Sequence, residues 1–152
     1  MKLQIGDSIP NFTLKDQNGN DFQIKKIIGK QALVIYFYPK NFTPGCVKEA
    51  CEFRDQFEDF NDLGATVIGI SSDTESSHAK FASKYNLPFI LLSDKNGLIS
   101  RKFGVKKNLL GLLPGRETYV VNKKGRLILI FNSMDASKHI QKALKILQSE
   151  NS

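Results

Sequence analysis

Tyr36-Phe37-Tyr38-Pro39-Lys40-Asn41-Phe42-Thr43-Pro44-Gly45-Cys46-Val47-Lys48-Glu49-Ala50-Cys51 holds the only two cysteines of the chain. An apolar run, Leu33 to Tyr38, leads into it, and its β-branched and aromatic side chains read as a buried strand. Pro39 and then Thr43-Pro44-Gly45 stop that strand and turn the chain. Beyond the turn, Cys46, Ala50, Phe53, Phe57 and Phe60 recur at four-three-four-three spacing, which is one face of an amphipathic helix. Cys46 then falls in the first turn of a helix that follows a strand, among unpaired backbone N–H groups and at the positive end of the helix dipole. That setting favours the thiolate, the reactive form of a cysteine.

Cys51 lies about 140° around the same helix, on the flank of Asp55, Glu58 and Asp62. Cys46 is therefore expected at the buried edge and Cys51 near solvent. In a regular helix their Cα atoms stand roughly 8–9 Å apart, whereas a disulfide usually needs less than about 7 Å. Either the two are unrelated thiols, or the helix opens as part of a reaction.

Pro39-x-x-x-Thr43-x-x-Cys46 is similar to the active-site signature of the peroxiredoxins. Thr43-Pro44-Gly45-Cys46-x-x-Glu49-Ala50-Cys51 resembles the bacterioferritin comigratory protein / PrxQ branch, in which a second cysteine stands five residues after the first. Val47 departs from that branch, which usually has Thr there, at a position outside the core motif. The resemblance implies an α/β chain with a thioredoxin-like fold, an N-terminal β-hairpin extension and a central mixed sheet flanked by helices. It also implies a thiol peroxidase, acting in antioxidant defence on hydrogen peroxide and organic hydroperoxides. Cys46 would be oxidised to sulfenic acid, Cys51 would condense with it, and thioredoxin, or glutaredoxin, would reduce the resulting disulfide. No metal, flavin or haem is called for, and members of this branch are commonly monomers.

The chemistry asks for more than a thiolate. Breaking a peroxide O–O bond by in-line attack needs donors that orient both oxygens and positive charge for the leaving oxygen. The Thr43 hydroxyl can accept from the peroxide and donate to the thiolate. Backbone N–H groups in the Gly45-Cys46 turn can donate to the distal oxygen, and Pro39, without an N–H, can shield the thiolate from water. The missing cation is supplied by Gly115-Arg116-Glu117-Thr118-Tyr119-Val120-Val121, where Arg116 stands at the place of the arginine that in peroxiredoxins opens the corresponding strand. Glu49, about one turn after Cys46, is expected to orient Arg116 by a bidentate bond.

The rest of the chain fits around this. A length of 152 residues suits one domain spanning residues 1–152. Asn18-Gly19, between the pairs Phe12/Leu14 and Phe22/Ile24, signals a hairpin. Strands are expected at 66–71, 89–92, 117–121 and 127–131, with the turn Asn122-Lys123-Lys124-Gly125 joining the last two. Helices are expected after Ser72-Asp73, over Ala79, Phe81, Ala82 and Tyr85, from Asn96-Gly97 to Phe103, and from Asp135 onward. Residues 105–115, with Leu109, Leu110, Leu112 and Leu113, read as a loop with an apolar underside.

Other classes are disfavoured. The net charge is +7, and Arg101, Lys102, Lys106, Lys107, Arg116, Lys123, Lys124 and Arg126 crowd together in sequence. No nucleic-acid motif accompanies them, so they read as a solvated surface. No apolar run spans a bilayer and the amino terminus lacks a secretory core, which leads to the expectation of a cytoplasmic protein. His78 and His139 are far apart and have no metal-ligand spacing with the cysteines. There is no phosphate loop, dinucleotide fingerprint or Cys-x-x-Cys. The rival reading is a non-enzymatic redox sensor or chaperone using the same disulfide, which would be oxidised stoichiometrically without turnover.

Overall fold

The computed structural model describes residues 2–108 and 113–150. The apolar run forms β3 (Ala32–Phe37), with every residue buried. Its alternating side chains feed two cores: Val34 and Tyr36 point to one face, and Leu33, Ile35 and Phe37 to the other. β3 is an interior strand, beside the middle one, of a mixed seven-stranded sheet. The other strands are β1 (Thr13–Asp16), β2 (Asp21–Gln23), β4 (Ala65–Ser71), β5 (Ile90–Ser93), β8 (Glu117–Val121) and β9 (Leu127–Asn132), in the order β2-β1-β5-β4-β3-β8-β9. β3, β4 and β5 run parallel; β8 and β9 return antiparallel on one side, and the β1–β2 hairpin pairs antiparallel with β5 on the other. A further pair, β6 (Lys107–Asn108) and β7 (Leu113–Pro114), flanks residues 109–112. Within the expected loop 105–115, residues 107–108 and 113–114 thus pair as strands instead, and 109–112 lie outside the described residues.

Helices α1 (Pro44–Asp55), α2 (Phe57–Asp62), α3 (Glu75–Tyr85) and α5 (Ala136–Glu150) cover the face of Val34 and Tyr36. The other face is closed by α4 (Leu98–Phe103) and by Ile9 and Phe12. This is the expected thioredoxin-like α/β architecture with an N-terminal hairpin.

Three local expectations are corrected. The helix of Cys46 is not continuous: it breaks at Gln56 (φ −102, ψ 12), where α1 ends and α2 begins. Phe53 and Phe60 stay buried on either side of the break, while Phe57 is half-buried. The cap of α3 is Thr74, whose hydroxyl accepts from Ser77 N, and not Ser72-Asp73; Asp73 is occupied by Ser71 and Asn41. On α3 the inner positions belong to His78 and Phe81, and Ala79 is exposed.

Candidate active site

β3 runs out at Phe37, and Tyr38 makes one more sheet bond, from its N–H to the Ile70 carbonyl at 3.1 Å. Pro39, buried, then diverts the chain into the loop 39–43. Thr43 occupies the N-cap position of α1 in extended backbone, with Pro44 as the first helical residue. The Thr43 side chain does not cap the helix. Its hydroxyl donates to the Lys40 carbonyl at 2.8 Å, so its single proton is committed. It keeps lone pairs for a donor but does not give a bond to the thiol, contrary to the two-way role expected of it.

Cys46 sits at the third helical position and is 1% exposed. The N–H groups of Pro44's successors Gly45 and Cys46 have no partner within the helix. Cys51 lies on the same helix, half-buried, and both cysteines are thiols.

Arg116 reaches Cys46 because β8 pairs with β3. Glu117 is opposite Phe37, which sets the preceding residue beside the end of β3, where the loop and α1 begin. Its Nη2 donates to Cys46 Sγ at 3.5 Å, and its Nη1 donates to Glu49 Oε1 at 2.6 Å. The expected bidentate pairing is corrected to a single bond: Glu49 Oε2 and Arg116 Nε are both buried without a hydrogen-bond partner. Gly45 proves to have a steric role as well, since a Cβ there would come within 2.8 Å of Arg116 Nη2. Of the basic residues crowded in sequence, Arg116 alone is inside; the other seven are exposed, as a solvated surface should be.

The electrostatics separate the two partners. Burial pushes the Glu49 carboxyl up to about 8, against the pull of Arg116. For Arg116, burial works against the cation, but Glu49 and Cys46 outweigh it and raise the guanidinium further. Arg116 therefore keeps its charge, and burial falls on Glu49 as the partner whose ionised form is disfavoured.

One neighbour of this pair is invisible to motif reasoning. His139, fully buried on α5, places Nδ1 3.9 Å from Glu49 Oε2. Its Nε2 lies 2.6 Å from the Ser133 carbonyl, which can only accept, so the proton is on Nε2 and Nδ1 accepts from the Thr118 hydroxyl at 2.7 Å. Burial, reinforced by Arg116, lowers this ring to about 4. The available signal was position: His139 lies three residues after Ala136 on the inner face of the last helix, as His78 lies three before Phe81. The structure thus brings Cys46, Gly45, Glu49 and Arg116 into contact. Pro39 and Thr43 lie in the turn that leads into α1, and Cys51 is on the same helix.

The family model for the AhpC/TSA family matches residues 5–130. The chain is 52% identical over 149 residues to chloroplastic peroxiredoxin Q of Populus jackii, covering 97% of this chain and 70% of that protein. Among solved structures, Peroxidoxin BcpB from Mycobacterium tuberculosis superposes with a TM-score of 0.87 at 38% identity, over 97% of both chains. A cysteine mutant of Xylella fastidiosa PrxQ superposes with a TM-score of 0.91 at 26% identity, over 100% of this chain and 99% of that one. The name of the Populus jackii relative, shared by that of Sedum lineare at 50% identity, overturns the expectation of a cytoplasmic protein. That expectation rested on the lack of a secretory core, which argues against secretion and says nothing of which other compartment a protein occupies.

Proposed function

Because the chain belongs to the AhpC/TSA family, as a peroxiredoxin of the Q kind and hence a peroxidase, we propose that Cys46 is its peroxide-reducing nucleophile, Cys51 its resolving thiol and a thioredoxin its reductant. The observation that carries this reading is the 3.5 Å approach of Arg116 Nη2 to Cys46 Sγ, both buried, at a helix start.

The Cys46 thiolate attacks the terminal oxygen of a hydroperoxide in line with the O–O bond. That bond breaks, Cys46 becomes a sulfenic acid, and the second oxygen leaves as an alkoxide or hydroxide that takes up a proton. Arg116 stabilises the thiolate first and the charge on the departing oxygen next, held in place by Glu49. Glu49 engages the guanidinium through Nη1 alone, which leaves Nη2 directed at the sulfur and the peroxide. The N–H groups of Gly45 and Cys46 donate to the peroxide, the Thr43 hydroxyl accepts from it, and Pro39 keeps water from the sulfur. The Cys51 sulfur then attacks Cys46, water leaves, and an intramolecular disulfide forms. A thioredoxin dithiol reduces it by exchange. The pair of thiols lies within one chain, so the cycle runs in a monomer acting as one domain.

Disulfide formation requires the first turns of α1 to open, because helix geometry keeps the two Cα atoms roughly 8–9 Å apart. Support for this comes from the start of the helix: Pro44 brings no N–H and Thr43 gives no side-chain cap. Peroxide consumption coupled to thioredoxin, followed by intact mass and peptide mapping after one equivalent of peroxide, tests the whole scheme. Cys46→Ser is expected to consume no peroxide. Cys51→Ser is expected to be oxidised once, to the sulfenic acid, and to lose thioredoxin-dependent turnover. Full turnover in Cys51→Ser would remove that residue from the cycle.

A further inference from the structure

Phe42, in the loop between β3 and α1, has φ 65. The left-handed region is a genuine outlier for a bulky residue, and such strain persists only where the surroundings hold it. The Phe42 side chain is 45% exposed, and its ring meets Phe81 edge-on at 5.1 Å. The firm anchor is on its other side. Asn41 is 3% exposed, and its backbone N–H and both side-chain polar atoms are engaged. Its N–H donates to Asp73 Oδ2 at 2.9 Å, its Oδ1 accepts from the Tyr38 hydroxyl at 2.7 Å, and its Nδ2 donates to Ser77 Oγ at 3.1 Å. Nδ2 also lies 3.0 Å from His78 Nδ1.

The direction of that last bond follows from the other end of the ring. His78 Nε2 is 3.0 Å from the Leu92 carbonyl, an acceptor only, so Nε2 carries the proton and Nδ1 offers its lone pair to Asn41. Burial keeps the ring neutral against the pull of Asp73 and Glu75. One strand and one helix, β5 and α3, therefore fix the tautomer that fixes Asn41. The turn beyond it is closed by Thr43 Oγ1 on the Lys40 carbonyl at 2.8 Å, and Val47 N–H bonds the Thr43 carbonyl at 2.8 Å.

We propose that Asn41, locked by His78, is the positioning residue that holds the Phe42-Thr43 turn at the start of the Cys46 helix and so sets the orientation of the bound peroxide. This rests on Cys46 being the peroxide's nucleophile. Without the Asn41 anchor, Phe42 relaxes to negative φ and carries Thr43 away. Cys46 itself stays, because Arg116 and the core hold it. The loss therefore falls on reaction with peroxide and not on the thiolate.

The test compares two reactions of Cys46: oxidation by hydrogen peroxide in stopped flow, and alkylation by iodoacetamide, which needs a thiolate but no oriented peroxide. Asn41→Ala is expected to lower the peroxide rate about 10–100-fold while alkylation stays within about twofold of wild type. His78→Leu should act in the same direction, and His78→Asn, which keeps an acceptor near Nδ1, should recover most of that loss. Phe42→Asn, a residue that tolerates the left-handed region, should partly rescue Asn41→Ala. Wild-type peroxide rates in both Asn41→Ala and His78→Leu would overturn the proposal, as would equal losses in the two reactions. Peroxide consumption by Cys46→Ser at the wild-type rate would overturn the nucleophile assignment beneath it, an outcome that the Asn41 variants cannot mimic.

Discussion

Gly45 and Arg116 define the site at the scale of single residues. The guanidinium lies where a Cβ on residue 45 would come within 2.8 Å of Nη2, and the same nitrogen contacts Cys46 Sγ at 3.5 Å. Gly45→Ala is thus expected to push the cation off the sulfur while leaving α1 intact, since alanine favours a helix more than glycine does. Arg116→Ala removes the cation outright, and the loss of one preorganised donor typically slows such a step by about 10²–10³. Stopped-flow oxidation of Cys46 should rank wild type above Gly45→Ala and Gly45→Ala above Arg116→Ala. A Gly45→Ala rate equal to wild type would show that the close approach is not used.

Two elements carry predictions of their own. α1 holds both cysteines, and Phe53 anchors its later part in the core. Forming the disulfide should raise hydrogen exchange over residues 45–52 and leave α2, α3 and α5 protected. Unchanged exchange there in the oxidised protein would falsify the unwinding step. α5 carries His139, whose ring sits near 4 in the folded protein and near 6.5 when unfolded, with burial the main cause. Between those values the unfolded chain binds the extra proton, so stability falls as pH drops from about 6.5 to about 4, by about 3 kcal/mol at full extent. His78, also lowered by burial, adds in the same direction. Glu49, raised to about 8 by burial, contributes with the opposite sign over the same range, so the diagnostic is the comparison of two proteins: between about pH 7 and about pH 5 the urea midpoint of His139→Gln, which cannot titrate, should rise relative to that of wild type.

At the scale of the molecule, oxidation is expected to be an internal event. The protein should run on a non-reducing gel and sediment near 17.1 kDa before and after one equivalent of peroxide. A disulfide-linked dimer as the main product would mean that Cys51 serves a neighbouring chain.

Much that depends on near neighbours is legible along the chain. Pro39 and Thr43-Pro44-Gly45 end β3 and start α1, Asn18-Gly19 turns the first hairpin with Gly19 at φ 80, and helical spacing buries Cys46, Ala50 and Phe53 together. These are local steric and periodic constraints, readable over a few residues. Arg116 was legible only through family resemblance, because what brings it to Cys46 across 70 positions is the β3–β8 register. The break at Gln56 was not legible at all: no glycine or proline marks it, and the two segments part because α1 packs on α5 while α2 packs on β4. The two histidines carry no sequence signal of their contacts because each finds its partners from other elements, His139 near Glu49 and on Thr118 and His78 on Asn41 and Leu92. A buried polar group must find its hydrogen bonds wherever the packed chain supplies them. Which groups those are depends on how segments distant in sequence pack together.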